Sequence, residues 1–339
     1  EMLLAAENPA IITEESGRTP EGYAALVELA ELLSIPVIEG RFAPYANFPK
    51  DHPLWLGAGR PPLVDESDLI LMIASRQPWY PLANTPKKAR IITIDDTPFR
   101  DHVVYQPSSA ERFLEGDVAA NLSLLIEALK TGTIDSDAVS KRRAHWEAAG
   151  ATRAAEKNAA LDDARARDTI APALLAATLS ELAPAGTIFV DETITHRPAI
   201  IGHLKTDGPT SYFRVHGGLG QAMGVALGAK LAAPDQMVIT TLGDGTFLYN
   251  PAVQALAFAR TNNLATLTVI FNNHGYNAMR KDQEGYFPDG VAAKNDLWLG
   301  HPITEFDYAE LANPFGAFGA TIETPAELPA TIQAAFAAI

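Results

Sequence analysis

The sequence predicts an α/β protein with two doubly wound parallel-sheet domains joined by a linker. Apolar runs of strand length, such as 68–75 and 237–242, alternate with longer segments of helical spacing. Continuous apolar runs are typical of strands buried on both faces of a parallel sheet. The length of 339 residues also favours about two domains.

Residues 1–130 are predicted to form the first domain. Its strands and helices, judged from apolar runs and helical spacing, are 10–13, 22–34, 35–40, 68–75, 89–96 and 116–130. Residues 131–167 are polar, charged and rich in alanine, which indicates a linker with some helix.

Residues 168–339 are predicted to form the second domain. Helical spacing and apolar runs alternate again, over 169–184, 187–192, 219–232, 237–242, 251–262 and 265–271. Both ends of the chain interrupt helical patterns, so we expect the sequence to be part of a longer polypeptide.

Composition excludes several classes of function. The formal net charge of −15 repels phosphate backbones and anionic lipids, so neither nucleic acid nor membrane is an expected partner. Every apolar run is shorter than the ~18 residues that a membrane span needs. Cysteine is absent, which excludes disulfides and thiolate chemistry and fits a reducing compartment. We therefore expect a cytoplasmic protein.

Polar residues follow two consecutive strands of the second domain. Gly243-Asp244-Gly245 follows one strand and Asn272-Asn273 follows the next. Parallel strands end at one edge of a sheet, where open α/β folds bind ligands, so Asp244 and Asn273 can converge. A carboxylate and an amide oxygen suit Mg²⁺ or Ca²⁺, and the Gly275 carbonyl is a candidate third ligand.

The segment 212–224 leaves a second interpretation open. Gly218, Gly220 and Gly224 form a variant of the dinucleotide fingerprint, and Asp244 lies where a ribose-binding acid is expected. These residues alone are compatible with an NAD-dependent dehydrogenase. That hypothesis leaves the asparagine pair and Gly245 unexplained.

Taken together, these segments resemble the thiamine-diphosphate enzymes of the acetolactate synthase, benzoylformate decarboxylase and pyruvate decarboxylase group. The similarity extends to 47–57 and 68–98, which resemble the central domain of that family. The resemblance implies thiamine diphosphate and Mg²⁺ as cofactors. It places the metal on Asp244, Asn273 and the Gly275 carbonyl.

The resemblance also implies which residues contact the cofactor. The Gly217 carbonyl would accept the 4′-amino group, and Leu219 would force the bent shape of the cofactor. The implied cofactor-binding set is Ile194, Thr195, Gly217, Gly218, Leu219, Gly243, Asp244, Gly245, Thr246, Asn273, His274, Gly275 and Tyr276.

Fewer residues can be assigned to the reaction itself. Ala278 and Met279 would line the substrate pocket, where a small Ala278 leaves room for a substrate larger than pyruvate. His216 is a candidate proton donor because it directly precedes the glycines, and His196 is a weaker pocket candidate.

The implied activity is that of a lyase or carboligase acting on a 2-oxo acid. Decarboxylation would proceed through an enamine, followed by protonation or carboligation. The pyrimidine-binding domain of the family, with its activating glutamate, has no counterpart in this sequence. It would come from the missing amino-terminal part or another subunit, in a homodimer or homotetramer. FAD is not expected, and a non-catalytic subunit that retains the diphosphate site stays an alternative.

Overall fold

Two separate sets of strands and helices divide the chain into two units. The structure is a computed structural model that describes residues 1–40, 42–76, 78–79, 82–100, 109–215, 217–304 and 306–339. One unit comprises 1–160 and 205–212, and the other comprises 161–204 and 213–339. Each unit contains a parallel sheet with helices, which confirms the predicted fold class. The domain limits 1–130, 131–167 and 168–339 remain predictions.

The first unit contains a six-stranded parallel sheet in the order β3-β2-β1-β4-β5-β6. Its strands are β1 (Pro9–Thr13), β2 (Val37–Glu39), β3 (Trp55–Ala58), β4 (Leu69–Ile73), β5 (Arg90–Asp95) and β6 (Arg112–Glu115). Its helices are α1 (Met2–Ala5), α2 (Pro20–Leu33), α3 (Leu63–Glu66) and α4 (Val118–Thr131).

Both faces of this sheet are covered. Ile11 and Leu71 belong to a core that includes residues of α2 and α4, whereas Ile12 and Ile70 belong to a second core that includes Trp79. Successive residues of a strand point to opposite faces, so two buried faces favour apolar residues at most positions. This preference explains the continuous apolar runs of the sequence.

The predicted linker forms a long helix, α5 (Ser136–Arg165). Most of its residues are polar or alanine, and contacts from arginine side chains attach it to the first unit. The Arg142 guanidinium donates two hydrogen bonds to the Leu33 carbonyl, at 2.9 and 3.1 Å, and Arg153 donates to the Pro53 carbonyl at 3.0 Å. Arg142 therefore satisfies the carbonyl of Leu33, the last residue of α2.

The second unit contains a four-stranded sheet in the order β10-β9-β7-β8, in which β7, β9 and β10 pair in parallel. Its strands are β7 (Ile188–Glu192), β8 (Tyr212–Arg214), which begins at the boundary between the units, β9 (Val238–Gly243) and β10 (Leu267–Phe271). Its helices are α6 (Pro172–Leu182), α7 (Arg197–His203), α8 (Ala222–Ala232), α9 (Asp244–Phe247), α10 (Ala252–Asn262), α11 (Asn277–Tyr286), α12 (Val291–Asn295) and α13 (Leu328–Ala337).

Within the described residues, every helix is too short or too polar to cross a bilayer.

Helix α4 offers a paired test of the first core. Leu122 is fully buried, whereas Leu124 on the same helix is 64% exposed. We expect Leu122→Ala to lower the free energy of unfolding by about 2–5 kcal/mol, because it removes packed methyl groups and leaves a cavity. Leu124→Ala should change it by less than about 0.5 kcal/mol. Urea unfolding followed by tryptophan fluorescence measures both, and equal losses would contradict this assignment of the core.

Candidate functional site

The carboxyl ends of three parallel strands meet at one edge of the second sheet. Gly243 at the end of β9 pairs with Phe271 at the end of β10, and Leu242 pairs with Glu192 at the end of β7. The residues that follow each strand therefore lie side by side. This register brings Asp244 and Asn273 to the same edge across 29 positions of sequence.

A cavity of about 380 Å³ opens at this edge. Its lining consists of residues that follow β7, β9 and β10, with additions from two other loops. They are Thr193, Ile194, Thr195, His196, Leu219, Gly243, Asp244, Gly245, Thr246, Tyr249, Asn273, Gly275, Tyr276, Asn277, Ala278, Met279, Gly300 and His301.

The Asp244 side chain joins the ends of β9 and β10. It is 2% exposed, and its Oδ2 accepts a hydrogen bond of 2.9 Å from the Gly275 backbone N–H. A buried carboxylate requires such partners, because its loss of hydration must be offset. The bond fixes the loop after β10 relative to the loop after β9.

A short antiparallel ladder holds the same loop from the other side. Gly275 pairs with Pro302, Tyr276 N–H donates to the His301 carbonyl at 2.7 Å, and Ile303 N–H donates to the His274 carbonyl at 3.1 Å. A Cβ at Gly275 would lie 2.8 Å from the His301 carbonyl oxygen, so this close approach requires glycine.

His274 adopts a left-handed conformation, with φ of 58°. Its backbone N–H donates to the Asn272 side-chain oxygen at 3.1 Å, which supports the turn. The His274 side chain is exposed, and His274 is not among the described residues that line the cavity.

The Asn273 amide lies between two side chains. Its Oδ1 accepts a hydrogen bond of 2.7 Å from Asn277 Nδ2, and its own Nδ2 lies 2.9 Å from His196 Nε2. An amide nitrogen donates, so His196 accepts this hydrogen bond with Nε2 unprotonated. Both contacts restrict rotation of the Asn273 side chain.

His196 is half-buried beside Phe271, with ring centroids 5.7 Å apart. Burial lowers its pKa below 6.5, and the nearby Lys281 charge lowers the pKa further against an opposing effect of Asp244. The neutral imidazole is thus favoured near pH 7, which agrees with its role as an acceptor toward Asn273.

The Tyr276 ring packs directly on Gly245. A Cβ at Gly245 would lie 2.7 Å from Cε1 of Tyr276, so the ring occupies the space of a side chain there. Tyr249 contacts Tyr276 edge to face, with centroids 6.3 Å apart. Burial, the Tyr249 hydroxyl and the Asp244 carboxylate raise the pKa of Tyr276, in that order. The Tyr276 side chain is therefore neutral near pH 7 and forms part of the cavity wall.

The oxygen atoms at this edge fit a hard divalent cation. Asp244 offers a carboxylate, Asn273 an amide oxygen and Gly275 a carbonyl, a set that Mg²⁺ prefers when phosphates and water complete its shell. Across the described part of the chain, no cluster of three or more His, Asp or Glu side chains could hold a metal alone. A cation here would therefore need amide, carbonyl or ligand oxygens.

The glycine segment reaches the cavity through Leu219, which is 36% exposed. Gly217 has φ of 101° and is exposed, as is Gly218, and neither is among the described residues of the lining. His216 lies outside the described residues. The structure thus brings Ile194, Thr195, His196, Leu219, Gly243, Asp244, Gly245, Thr246, Asn273, Gly275, Tyr276, Ala278 and Met279 together.

Five lining residues were not anticipated from the sequence, namely Thr193, Tyr249, Asn277, Gly300 and His301. Thr193 and Asn277 directly neighbour predicted residues, so the motif pattern could have included them. Gly300 and His301 could not be found this way, because the ladder with residues 274–276 connects segments that no spacing rule relates.

The sheet order speaks against the dinucleotide alternative. In that fold, the strand before the glycine loop pairs with the strand that carries the acidic residue. Here the strand before the glycines is β8 and the strand before Asp244 is β9, and β7 lies between them. Asp244 therefore does not occupy the position that the fingerprint requires.

Gly245→Ala should destabilise the second unit by about 1–3 kcal/mol, because the new methyl group overlaps the Tyr276 ring. Gly228→Ala is the matched control. Gly228 is exposed within α8, and a methyl group there would meet no atom of another element within 4 Å, so this change should stabilise by about 0.5–1 kcal/mol. Thermal unfolding should show a lower melting temperature for Gly245→Ala and a higher one for Gly228→Ala. A shift of both melting temperatures in the same direction would refute the packing argument.

His196 should make the stability of the second unit depend on pH. Since its folded pKa is lowered below 6.5, its contribution is full above that value and is lost as pH falls through the folded pKa. We expect the melting temperature to fall less steeply for His196→Gln than for the parent between about pH 7 and pH 5. Parallel melting curves across this range would show that His196 does not contribute.

Comparison with known families gives two matches, one in each half of the chain. The C-terminal TPP-binding domain of thiamine pyrophosphate enzymes, whose cofactor is also called thiamine diphosphate, matches residues 195–338. The central domain of thiamine pyrophosphate enzymes matches residues 1–125. The first match contains most of the cavity lining described above.

Individual relatives agree with these matches. Benzoylformate decarboxylase of Pseudomonas aeruginosa is 28% identical over 357 aligned positions, which cover 100% of this chain and 60% of the relative. Acetolactate synthase isozyme 1 large subunit of Escherichia coli is 24% identical, with 98% and 57% covered. The chain therefore spans about 60% of the length of these relatives.

A solved structure shows the same fold. The thiamine diphosphate-dependent 4-hydroxybenzoylformate decarboxylase of Rhodococcus jostii RHA1 superposes with a TM-score of 0.76 at 23% identity, covering 100% of this chain and 60% of that chain. At this identity the likeness supports the fold alone. Because the two family matches describe neighbouring domains of the same enzymes and together span most of the sequence, this chain belongs to the thiamine pyrophosphate enzymes.

Proposed function

We propose that this chain provides the central and diphosphate-binding domains of a Mg²⁺-dependent enzyme that acts on a 2-oxo acid. The observation that carries the proposal is the oxygen-rich edge at which Asp244, Asn273 and Gly275 converge beside a cavity of about 380 Å³. The reaction is decarboxylation followed by protonation or by carboligation to a second carbonyl. The decarboxylase and acetolactate synthase relatives support this reaction class.

In this proposal the chain anchors the diphosphate. Asp244, Asn273 and the Gly275 carbonyl hold Mg²⁺, and Ile194, Thr195, Gly243, Gly245 and Thr246 surround the phosphates. The Asp244–Gly275 hydrogen bond and the contacts of Asn273 orient the ligands before the metal binds, which reduces the entropy cost of binding.

The remaining predicted residues position the organic part of the cofactor and the substrate. Gly217, Gly218 and Leu219 would contact the aminopyrimidine, with Leu219 as the apolar support. Ala278 and Met279 form the wall of the substrate side, together with Tyr276. When bound, thiamine diphosphate supplies the carbanion and electron-sink chemistry of the reaction. His274 remains a candidate cofactor contact, and His216 remains a candidate proton donor.

The proposal includes a partner domain. The activating glutamate and the pyrimidine-binding domain would come from the rest of the protein or from another subunit, in a homodimer or homotetramer. A non-catalytic subunit would keep the same diphosphate site, so it remains the second candidate. The two differ in turnover and not in binding of the cofactor.

Cofactor binding tests the site in the complete protein that carries this sequence. At about 100 times its Kd, thiamine diphosphate with Mg²⁺ should stabilise the parent by about 2.7 kcal/mol, measured by thermal unfolding. Asp244→Asn keeps the size of the side chain and removes its charge, so it should abolish the shift, as should a chelator. Asp235→Asn, at an exposed turn of the same unit, should keep it.

The outcomes separate the hypotheses. A metal-independent shift with NAD, and none with thiamine diphosphate, would overturn the proposal. If the cofactor binds as expected, CO₂ release from benzoylformate or pyruvate supports an enzyme. Binding without turnover on any 2-oxo acid favours the non-catalytic subunit.

A further inference from the structure

Two buried side chains, Glu192 and Asn250, connect the loops that carry the candidate cofactor contacts. Glu192 is 3% exposed and Asn250 is 7% exposed. Asn250 Nδ2 donates to Glu192 Oε2 at 2.9 Å. Neither residue is among the described residues that line the cavity, so their influence on a ligand must be indirect.

The pair caps the amino end of α8. Glu192 Oε1 accepts from Gln221 N–H at 3.0 Å, and Oε2 accepts from Ala222 N–H at 3.2 Å. Asn250 Oδ1 accepts from Met223 N–H at 3.1 Å. These are backbone donors that have no partner within a helix, and a negative charge at this end also interacts favourably with the helix dipole.

The pair is connected to the glycine segment through Gln221, and Asn250 contacts the loop after β9 directly. The Gln221 side chain donates to the Gly218 carbonyl at 3.0 Å, and Asn250 Nδ2 also donates to the Thr246 carbonyl at 3.1 Å. A Cβ at Gly220 would clash with the Tyr249 carbonyl, so the two loops are in backbone contact. Glu192 itself directly precedes the loop 193–196.

We propose that Glu192 and Asn250 act as one positioning unit, the Glu192–Asn250 clamp. It holds the segments 193–195, 217–219 and 244–246 in the mutual arrangement that binds thiamine diphosphate. This proposal rests on the proposed function, because it concerns the ligand of that site. The clamp fixes the positions of these segments before the ligand binds, and it makes no contact with the reacting atoms.

The chemistry of the clamp identifies decisive variants. Glu192→Gln keeps the shape but replaces one acceptor oxygen with an NH₂ group. At the Oε1 position this group faces the Gln221 N–H donor, and at the Oε2 position it faces the Ala222 N–H and Asn250 Nδ2 donors. Asn250→Ala removes the hydrogen bonds that the Asn250 side chain makes to Glu192, Met223 and Thr246. Thr187→Val is the matched control, since Thr187 is 3% exposed at the opposite end of β7 and donates to the Pro184 carbonyl at 2.7 Å.

The experiment measures the Kd of Mg²⁺–thiamine diphosphate by calorimetry, and amide hydrogen exchange at 221–223 without ligand, in the complete protein. We expect Glu192→Gln and Asn250→Ala each to raise Kd about 10–100-fold and to speed the exchange. The Kd of the double variant should be no higher than that of the weaker-binding single variant, because each change breaks the same unit. Saturating cofactor should restore most of kcat, and Thr187→Val should leave Kd within about twofold of the parent.

Parent-like Kd values in both single variants would overturn the positioning role while leaving the proposed function intact. The same conclusion follows if Thr187→Val weakens binding as much as they do, because the effect would then be general destabilisation. If Glu192→Gln does not fold, Asn250→Ala decides alone. A parent that fails to bind Mg²⁺–thiamine diphosphate overturns the proposed function, and the positioning role falls with it.

Discussion

The second unit depends on the burial of a charged group at the edge of its sheet. Asp244 loses almost all contact with water, and the Gly275 backbone N–H is a partner that offsets this loss. That bond is possible only because β9 and β10 are parallel and paired in register at Gly243 and Phe271. The sheet thus determines where the polar edge forms, and the polar edge determines the paths of the loops.

Close backbone approach explains why the motifs of this edge are rich in glycine. The Tyr276 ring fills the space beside Gly245, the His301 carbonyl lies against Gly275, and the Tyr249 carbonyl lies against Gly220. A side-chain ring excludes a Cβ at Gly245, and a backbone carbonyl oxygen excludes one at Gly275 and at Gly220. Glycine at these positions lets the loops pack closely. Gly220 also has a positive φ, a conformation that glycine adopts without strain.

Sequence patterns predicted the central strands and the convergence of their ends well, because buried parallel strands have continuous apolar runs and a fixed direction. The edge strands β3 and β6 are only four residues long, and β6 has a charged residue at each end, so they lacked that signal. The polar stretch 136–165 forms one continuous helix because arginine contacts to Leu33 and Pro53 hold it, and such contacts are invisible in the sequence. His301 enters the cavity through a ladder between distant segments, which local patterns do not encode.

Parts of the cavity lining differ in how firmly they are held. The hydrogen bonds of Asp244, Asn273 and the Glu192–Asn250 clamp connect the loops around the cavity. In contrast, Met279 is 55% exposed and Ala278 contributes a single methyl group. Under the proposed function, the firmly connected polar part suits a cofactor that is the same throughout the family. On the same proposal, small and exposed side chains leave the choice of substrate to surfaces contributed by the rest of the protein.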